Sequence, residues 1–170
     1  KSTKSVNKGH FLKQYSLAAV ITLALLIFTS IAYLIYFQGQ SDQLFDKYYR
    51  PYPVISSTRG IDHAPSELIE AYHEKSYDKV ISLYETLGLK NAEIQMVYAN
   101  SLLLSEEPDK AKPIFQELTR NTNKDLSQYA EWYLALTLLK AGENKAAKIQ
   151  LVKLIDGHMI HQPEAKELLN

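Results

Sequence analysis

Apolar positions along this chain follow two different patterns. Residues 16–37, SLAAVITLALLIFTSIAYLIYF, run for 22 positions without a charge or a proline. Beyond residue 63 the apolar positions recur every three or four residues, in segments broken by short polar turns. The first pattern is that of a helix apolar on every face, the second that of helices with one buried stripe. As a helix the first run extends about 33 Å, enough to cross a hydrocarbon core of roughly 30 Å. Its backbone polar groups all bond inside the segment, so lipid leaves none unsatisfied. The run therefore predicts an uncleaved transmembrane helix over residues 16–37. A buried helix of a soluble fold would need a larger core than the remaining chain supplies. A cleavable signal peptide is the rival, with Ser30-Ile31-Ala32 as its small-x-small site. The apolar run exceeds the roughly 7–15 residue core of such peptides.

The flanks orient the span. Lys1, Lys4, Lys8, His10 and Lys13 precede it with no acidic residue, and the next basic residue is Lys47. Basic residues collect on the cytoplasmic side. Residues 1–15 are thus expected in the cytoplasm, with the C-terminal domain periplasmic or extracellular and a bacterial inner membrane as the setting. Phe11 and Tyr15 on one edge, and Tyr33, Tyr36 and Phe37 on the other, suit the headgroup zones. The first residue is Lys1 rather than Met, which leaves open a cytoplasmic portion ahead of it.

Residues 38–63 read as a juxtamembrane linker. Ser41 is placed to cap a short helix ending near Tyr49, with Asp42 in its first turn. In YYRPYP, Pro51 and Pro53 push Arg50 and Tyr52 into extended conformations. No helical periodicity follows between Val54 and Asp62, so an extended, semi-rigid arm is expected. Tyr48, Tyr49, Arg50 and Tyr52 form either a juxtamembrane epitope or headgroup anchor, or a cluster packed on the domain's first helix.

Residues 64–170 contain three similar segments: 66–87, 92–118 and 127–155. Each has an apolar helix, a polar break and a second apolar helix. Leu68, Ala71 and Tyr72 share one face, as do Tyr98, Ala99, Leu102 and Leu103, and Leu134, Ala135, Leu138 and Leu139. The breaks are KSYDK, SEEPDK and AGENK; Gly142 suits a helix end, and Pro108 a helix start. Val80, Ala111 and Ala147 take equivalent places in the second helices, 31 and 36 residues apart. A period near 34 is that of a helical repeat. Pro113, inside a second helix, is expected to bend it. Pro163 and Glu164 open a short C-terminal capping helix.

On these residues the chain resembles the tetratricopeptide repeat (TPR) family over about residues 64–155. Tyr98-Ala99-Asn100-Ser101-Leu102, Ala111 and Phe115 match the second unit. Ala135, Gly142 and Ala147 match the small positions of the third, and Tyr77 and Tyr84 match aromatics of the first. Leu68 and Val80 depart from the usual small residues, and Glu131 stands where a large aromatic is common, with Trp132 beside it. The expected fold is all-α: one N-terminal transmembrane helix, a TPR-like α-solenoid of about three hairpins, and a capping helix.

Composition narrows the function. The first 40 residues carry four Lys and no acid, leaving 15 basic and 19 acidic residues beyond them, a formal charge of −4. Nucleic acid is therefore not an expected partner. With no cysteine there are no disulfides, thiol nucleophiles or Cys-ligated zinc. His158 and His161 lie three apart but lack a third ligand nearby, so no metal is expected. Glu106, Glu107 and Asp109 read as a solvated turn favouring the next helix start. No phosphate loop, nucleophile elbow or HExxH occurs, so neither an enzyme nor a cofactor is expected.

The resemblance implies a groove lined by the first helix of each unit, receiving a protein or peptide. Its candidates are Tyr72 and His73, then Met96, Asn100 and Leu103, then Tyr129, Trp132, Leu136 and Lys140. Leu103, Leu136 and the aromatics are equally candidates for plain core. Asn100 and Lys140 resemble part of a clamp for a peptide carboxylate, although two residues do not make one. Three functions stay open: an envelope scaffold or assembly factor, such as a translocon-associated accessory subunit in a membrane complex; a transmembrane regulator with an anti-sigma-like cytoplasmic segment; and an import-receptor-like protein with its domain in the cytosol, against the charge bias.

Overall fold

The computed structural model describes residues 8–54 and 65–169, without the side chains of 8–18 and 34–38. The described residues form helices and connections, with no strand among them. Two compact units divide between Gln40 and Ser41. The basic residues before Lys8, residues 55–64, and the side chains of Phe11, Tyr15, Tyr36 and Phe37 lie outside the described set.

Helix α1 (Lys8–Tyr48) begins in the first unit, and the apolar side chains described there are exposed. Val20, Ile21, Leu23, Leu25, Leu26 and Phe28 are each more than half exposed and stand on all sides of the helix. The hydroxyls of Thr22, Thr29 and Ser30 turn back onto backbone carbonyls three or four residues earlier, at 2.9, 3.0 and 2.7 Å. Among the described residues no helix is long and apolar enough to cross a membrane. The described side chains of this stretch, 19–33, are a part of the 16–37 run, which extends past them at both ends.

The helix does not stop at the polar Gln38-Gly39-Gln40 sequence. The short helix capped by Ser41 is therefore corrected: Ser41 lies inside α1 and is buried. A single Gly costs a helix interior only about 1 kcal/mol, which a helix continuing on both sides absorbs.

In the second unit, the end of α1 and the extended residues 49–54 precede seven helices among the described residues. These are α2 (Ser66–His73), α3 (Tyr77–Leu87), α4 (Ala92–Leu104), α5 (Pro108–Leu118), α6 (Lys124–Lys140), α7 (Asn144–Asp156) and α8 (Gln162–Leu169). Each packs mainly on the next in sequence, and α4 also meets α6. Local chemistry sets the boundaries. Asn91 and Asn123 cap α4 and α6, each side-chain oxygen accepting two backbone N–H groups. Pro108 opens α5, where its missing N–H is one of the helix's unpaired donors anyway. α5 continues past the exposed Pro113 to Leu118.

The turns inside the three hairpins are built alike. Lys75, Glu106 and Gly142 all have left-handed backbones, with φ of 61°, 61° and 73°. In each, the following N–H reaches a carbonyl five residues back: Ser76 to Ala71, Glu107 to Leu102, and Glu143 to Leu138, at 2.9, 2.9 and 2.8 Å. This is the Schellman closure. The turn residues are spaced 31 and 36 apart, the same spacing as Val80, Ala111 and Ala147, and those three are all buried.

Candidate functional site

Residues 45–54 do not stand away from the helices as a free linker. They pack along the first helix of every hairpin. Pro51 and Pro53 hold the backbone extended and remove two donors, so the aromatic side chains around them set the register. Tyr49 Oη donates to Asn100 Oδ1 on α4 at 2.9 Å, and the Tyr52 N–H donates to Tyr72 Oη on α2 at 3.0 Å. Tyr133 Oη on α6 donates to the Arg50 carbonyl at 2.9 Å, and Tyr48 Oη to Glu167 on α8 at 3.0 Å. Ring contacts fill the space between these bonds. Phe45 stacks on Tyr49 at 4.9 Å, Tyr49 lies 5.9 Å from Tyr133, and Tyr52 meets the edge of Tyr129 at 5.3 Å. Phe45, Tyr48, Tyr49 and Tyr52 are all buried as a result, and only Arg50 of the predicted epitope is exposed. Of the two readings of these tyrosines, packing on the helical domain is the arrangement observed.

The predicted groove residues divide accordingly. Tyr72, Asn100, Tyr129 and Lys140 contact the arm directly. Asn100 is fully buried and fully used, since its Nδ2 donates to the Met96 carbonyl at 2.9 Å while its Oδ1 receives Tyr49. Lys140 lies 2.9 Å from Glu106 Oε1, 3.9 Å from Asp42 Oδ1 and 4.6 Å from the Phe45 ring centre. With both residues engaged by their own chain, neither presents a free group to a peptide carboxylate. Met96, Leu103 and Leu136 are fully buried core. Trp132 is also buried and stacks on His161 at 4.7 Å, whereas His73 is exposed.

Sequence reasoning missed Phe45, Tyr133 and Glu93. Tyr133 is central, touching the rings of Tyr49, Tyr52, Tyr129 and Phe115. The available signal was the density of tyrosines in YYRPYP and in the first helix of the third unit. Two such clusters of amphipathic rings can bury each other only where their hydroxyls find partners.

Electrostatics follow burial. Desolvation pushes the phenols of Tyr49, Tyr72 and Tyr133 far above their ordinary value, and Tyr52 up to about 12. The cluster is thus neutral at physiological pH, with its hydroxyls fixed as hydrogen-bond donors and acceptors. Glu131 is buried and paired with Gln150 and with Lys153 Nζ at 2.5 Å. Among the described residues no group of three His, Asp or Glu side chains is placed to hold a metal. His161 bonds Glu164 at 3.3 Å and His158 bonds Gln162 at 3.2 Å.

No family model matches the chain, and neither a curated protein nor a solved structure does.

Proposed function

We propose that the chain is a single-pass membrane protein whose C-terminal helical hairpins form a TPR-like solenoid that recognises a protein partner. Its work is that of a scaffold or assembly factor in a cell envelope, with recognition rather than catalysis as its chemistry. The observation that carries the reading is the seated arm. A face made by α2, α4, α6 and α8 receives an extended, proline-containing aromatic segment through side-chain bonds to its backbone and hydroxyls. That is how helical-repeat surfaces hold peptides, and here the bound peptide belongs to the same chain.

The anchor is supported by the uncharged 16–37 run and by the exposed apolar side chains of 19–33. The three hydroxyls bonded back to helix carbonyls add to it, because lipid offers hydroxyls no other partner. The lysine-rich flank supports a cytoplasmic N-terminus and an extracytoplasmic domain. A transmembrane regulator is the second reading. It is favoured by the aromatic arm that follows the uncharged run in sequence, whose Tyr48 hydroxyl donates to Glu167 on α8.

Alkaline carbonate washing of native membranes tests the anchor: retention in the pellet is expected, and release without detergent overturns it. Protease added to intact cells or spheroplasts tests the side, with digestion of the C-terminal domain expected from outside only. Site-specific photocrosslinking from exposed His73 and half-buried Tyr129 tests recognition. One discrete crosslinked partner is expected, and its absence in membranes that retain the protein overturns the scaffold reading.

A further inference from the structure

Beside Tyr52 the cover provided by the arm is incomplete. A cavity of about 270 Å³ opens there, lined by Tyr52, Tyr129, Glu93, Asp125, Leu126 and Ile160. The rings of Tyr52 and Tyr129 stand nearly perpendicular, at 86°, and make two aromatic walls. The two carboxylates arrive by the same construction. Asn91 and Asn123 cap their helices, and each accepts the N–H of the acidic residue two places on, Glu93 at 2.8 Å and Asp125 at 3.0 Å.

An acidic residue in a first turn ordinarily complements the helix dipole, and the exposed Asp125 needs no other account. Glu93 differs. It is only 9% exposed, and among the described residues its carboxylate has neither a hydrogen-bond nor an ion-pair partner. Burial raises its pKa, so desolvation outweighs the help of the helix end. No buried side-chain oxygen among the described residues lacks a partner, so the Glu93 carboxylate keeps its accessible area on the cavity side, and a cation entering the cavity meets a carboxylate that no group of the chain neutralises. The aromatic walls favour the same ligand, since ring faces attract ammonium and guanidinium groups. The volume lies below the roughly 300 Å³ at which small-molecule pockets begin, so a side chain fits better than a metabolite.

We infer that this cavity is a recognition pocket for a single Arg or Lys side chain presented by the protein partner. The inference rests on the interaction-module reading above and names the chemistry of the partner. Glu93 supplies the buried countercharge, Asp125 an outer one, and Tyr52 and Tyr129 the stacking faces. Because Tyr52 belongs to the seated arm, the pocket exists only while the arm is in place.

The test is a titration of the full chain in nanodiscs with three short capped peptides, identical except for a central Arg, Lys or Gln, followed by peptide-observed NMR. The Arg and Lys peptides are expected to bind and the Gln peptide not to, with affinity falling as salt rises. Glu93→Gln should weaken binding by roughly tenfold or more, the scale of a charged hydrogen bond. It should leave the thermal melt unchanged or raised, because it removes a desolvated charge. Asp125→Asn, at an exposed site, should weaken binding less. Tyr129→Leu should reduce it while keeping the volume apolar. Equal binding of the Gln peptide, or no effect of Glu93→Gln, overturns the inference. Any of these results, with carbonate retention and the crosslinked partner intact, defeats the pocket alone. Release by carbonate or loss of the crosslink defeats the broader reading instead.

Discussion

The first and second helices of the hairpins are buried in different ways. α5 buries Ala111, Phe115 and Leu118, and α7 buries Ala147, Leu151 and Leu154. Both are the same i, i+4, i+7 stripe, with the opposite side in solvent. In α6, every residue from 131 to 140 is buried, and α4 is buried over most of its length. A helix is enclosed in this way only when something covers its second side. Here the cover is residues 45–54, whose aromatics lie on the first helices while the second helices pack from the other direction. The arm is therefore part of the domain's core, and its removal should cost more than any substitution on the outer helices.

The sharpest way to break that comparison is Tyr49→Ala. It deletes a buried ring and leaves the fully buried Asn100 without its partner, a loss of about 3–5 kcal/mol. Thermal unfolding of the full chain followed by circular dichroism measures it. A loss below about 1 kcal/mol would mean that the first helices do not depend on the arm.

Alkaline pH attacks the same contact without mutation. The folded-state pKa of Tyr52, about 12, lies above its ordinary 10, so its contribution is complete below pH 10 and is lost as pH rises toward 12. That is roughly 2–3 kcal/mol from Tyr52, and Tyr49, Tyr72 and Tyr133 are shifted in the same direction. Absorbance titration should show tyrosine ionisation coinciding with unfolding above pH 10. Ionisation of all twelve tyrosines near pH 10 in a folded domain would contradict the burial.

The hairpin turns allow a finer comparison. A Cβ on Gly142 would meet nothing within 4 Å, so Gly142→Ala is penalised only through its left-handed backbone, by about 1–2 kcal/mol. Lys75→Gly, at the equivalent place in the first hairpin, should act oppositely and stabilise by about 0.5–1 kcal/mol. Urea titrations of the pair measure both, and equal signs would show that the turns are not equivalent. On the outer helices, Ile149 is 72% exposed, and Ile149→Ser should change stability by no more than about 0.5 kcal/mol in the same assay. A larger loss would place another surface against α7.

Much of the helical layout was legible beforehand. The segments 66–87 and 92–118 coincide with α2–α3 and α4–α5, because periodic apolar positions, capping asparagines and polar breaks are local signals. The site was less legible. Asn100 and Lys140 stand out in the sequence as polar residues in apolar helices, which suggests availability to a partner. In the fold both are satisfied by their own chain, by Tyr49 in one case and by Glu106, Asp42 and Phe45 in the other. Tyr49 lies 51 positions from Asn100, and Lys140 lies 34 positions from Glu106 and 98 from Asp42. Periodicity carries no information at that range.

The sequence by itself determined the helices, their turns and the uncharged run, since each depends on residues within a few positions of one another. Only the tertiary structure decided what lies on the first-helix face. That depended on whether burying the YYRPYP rings against α4 and α6 could satisfy every hydroxyl and amide involved. The satisfaction of Tyr49 by Asn100 and of Arg50 by Tyr133 is a property of three-dimensional placement.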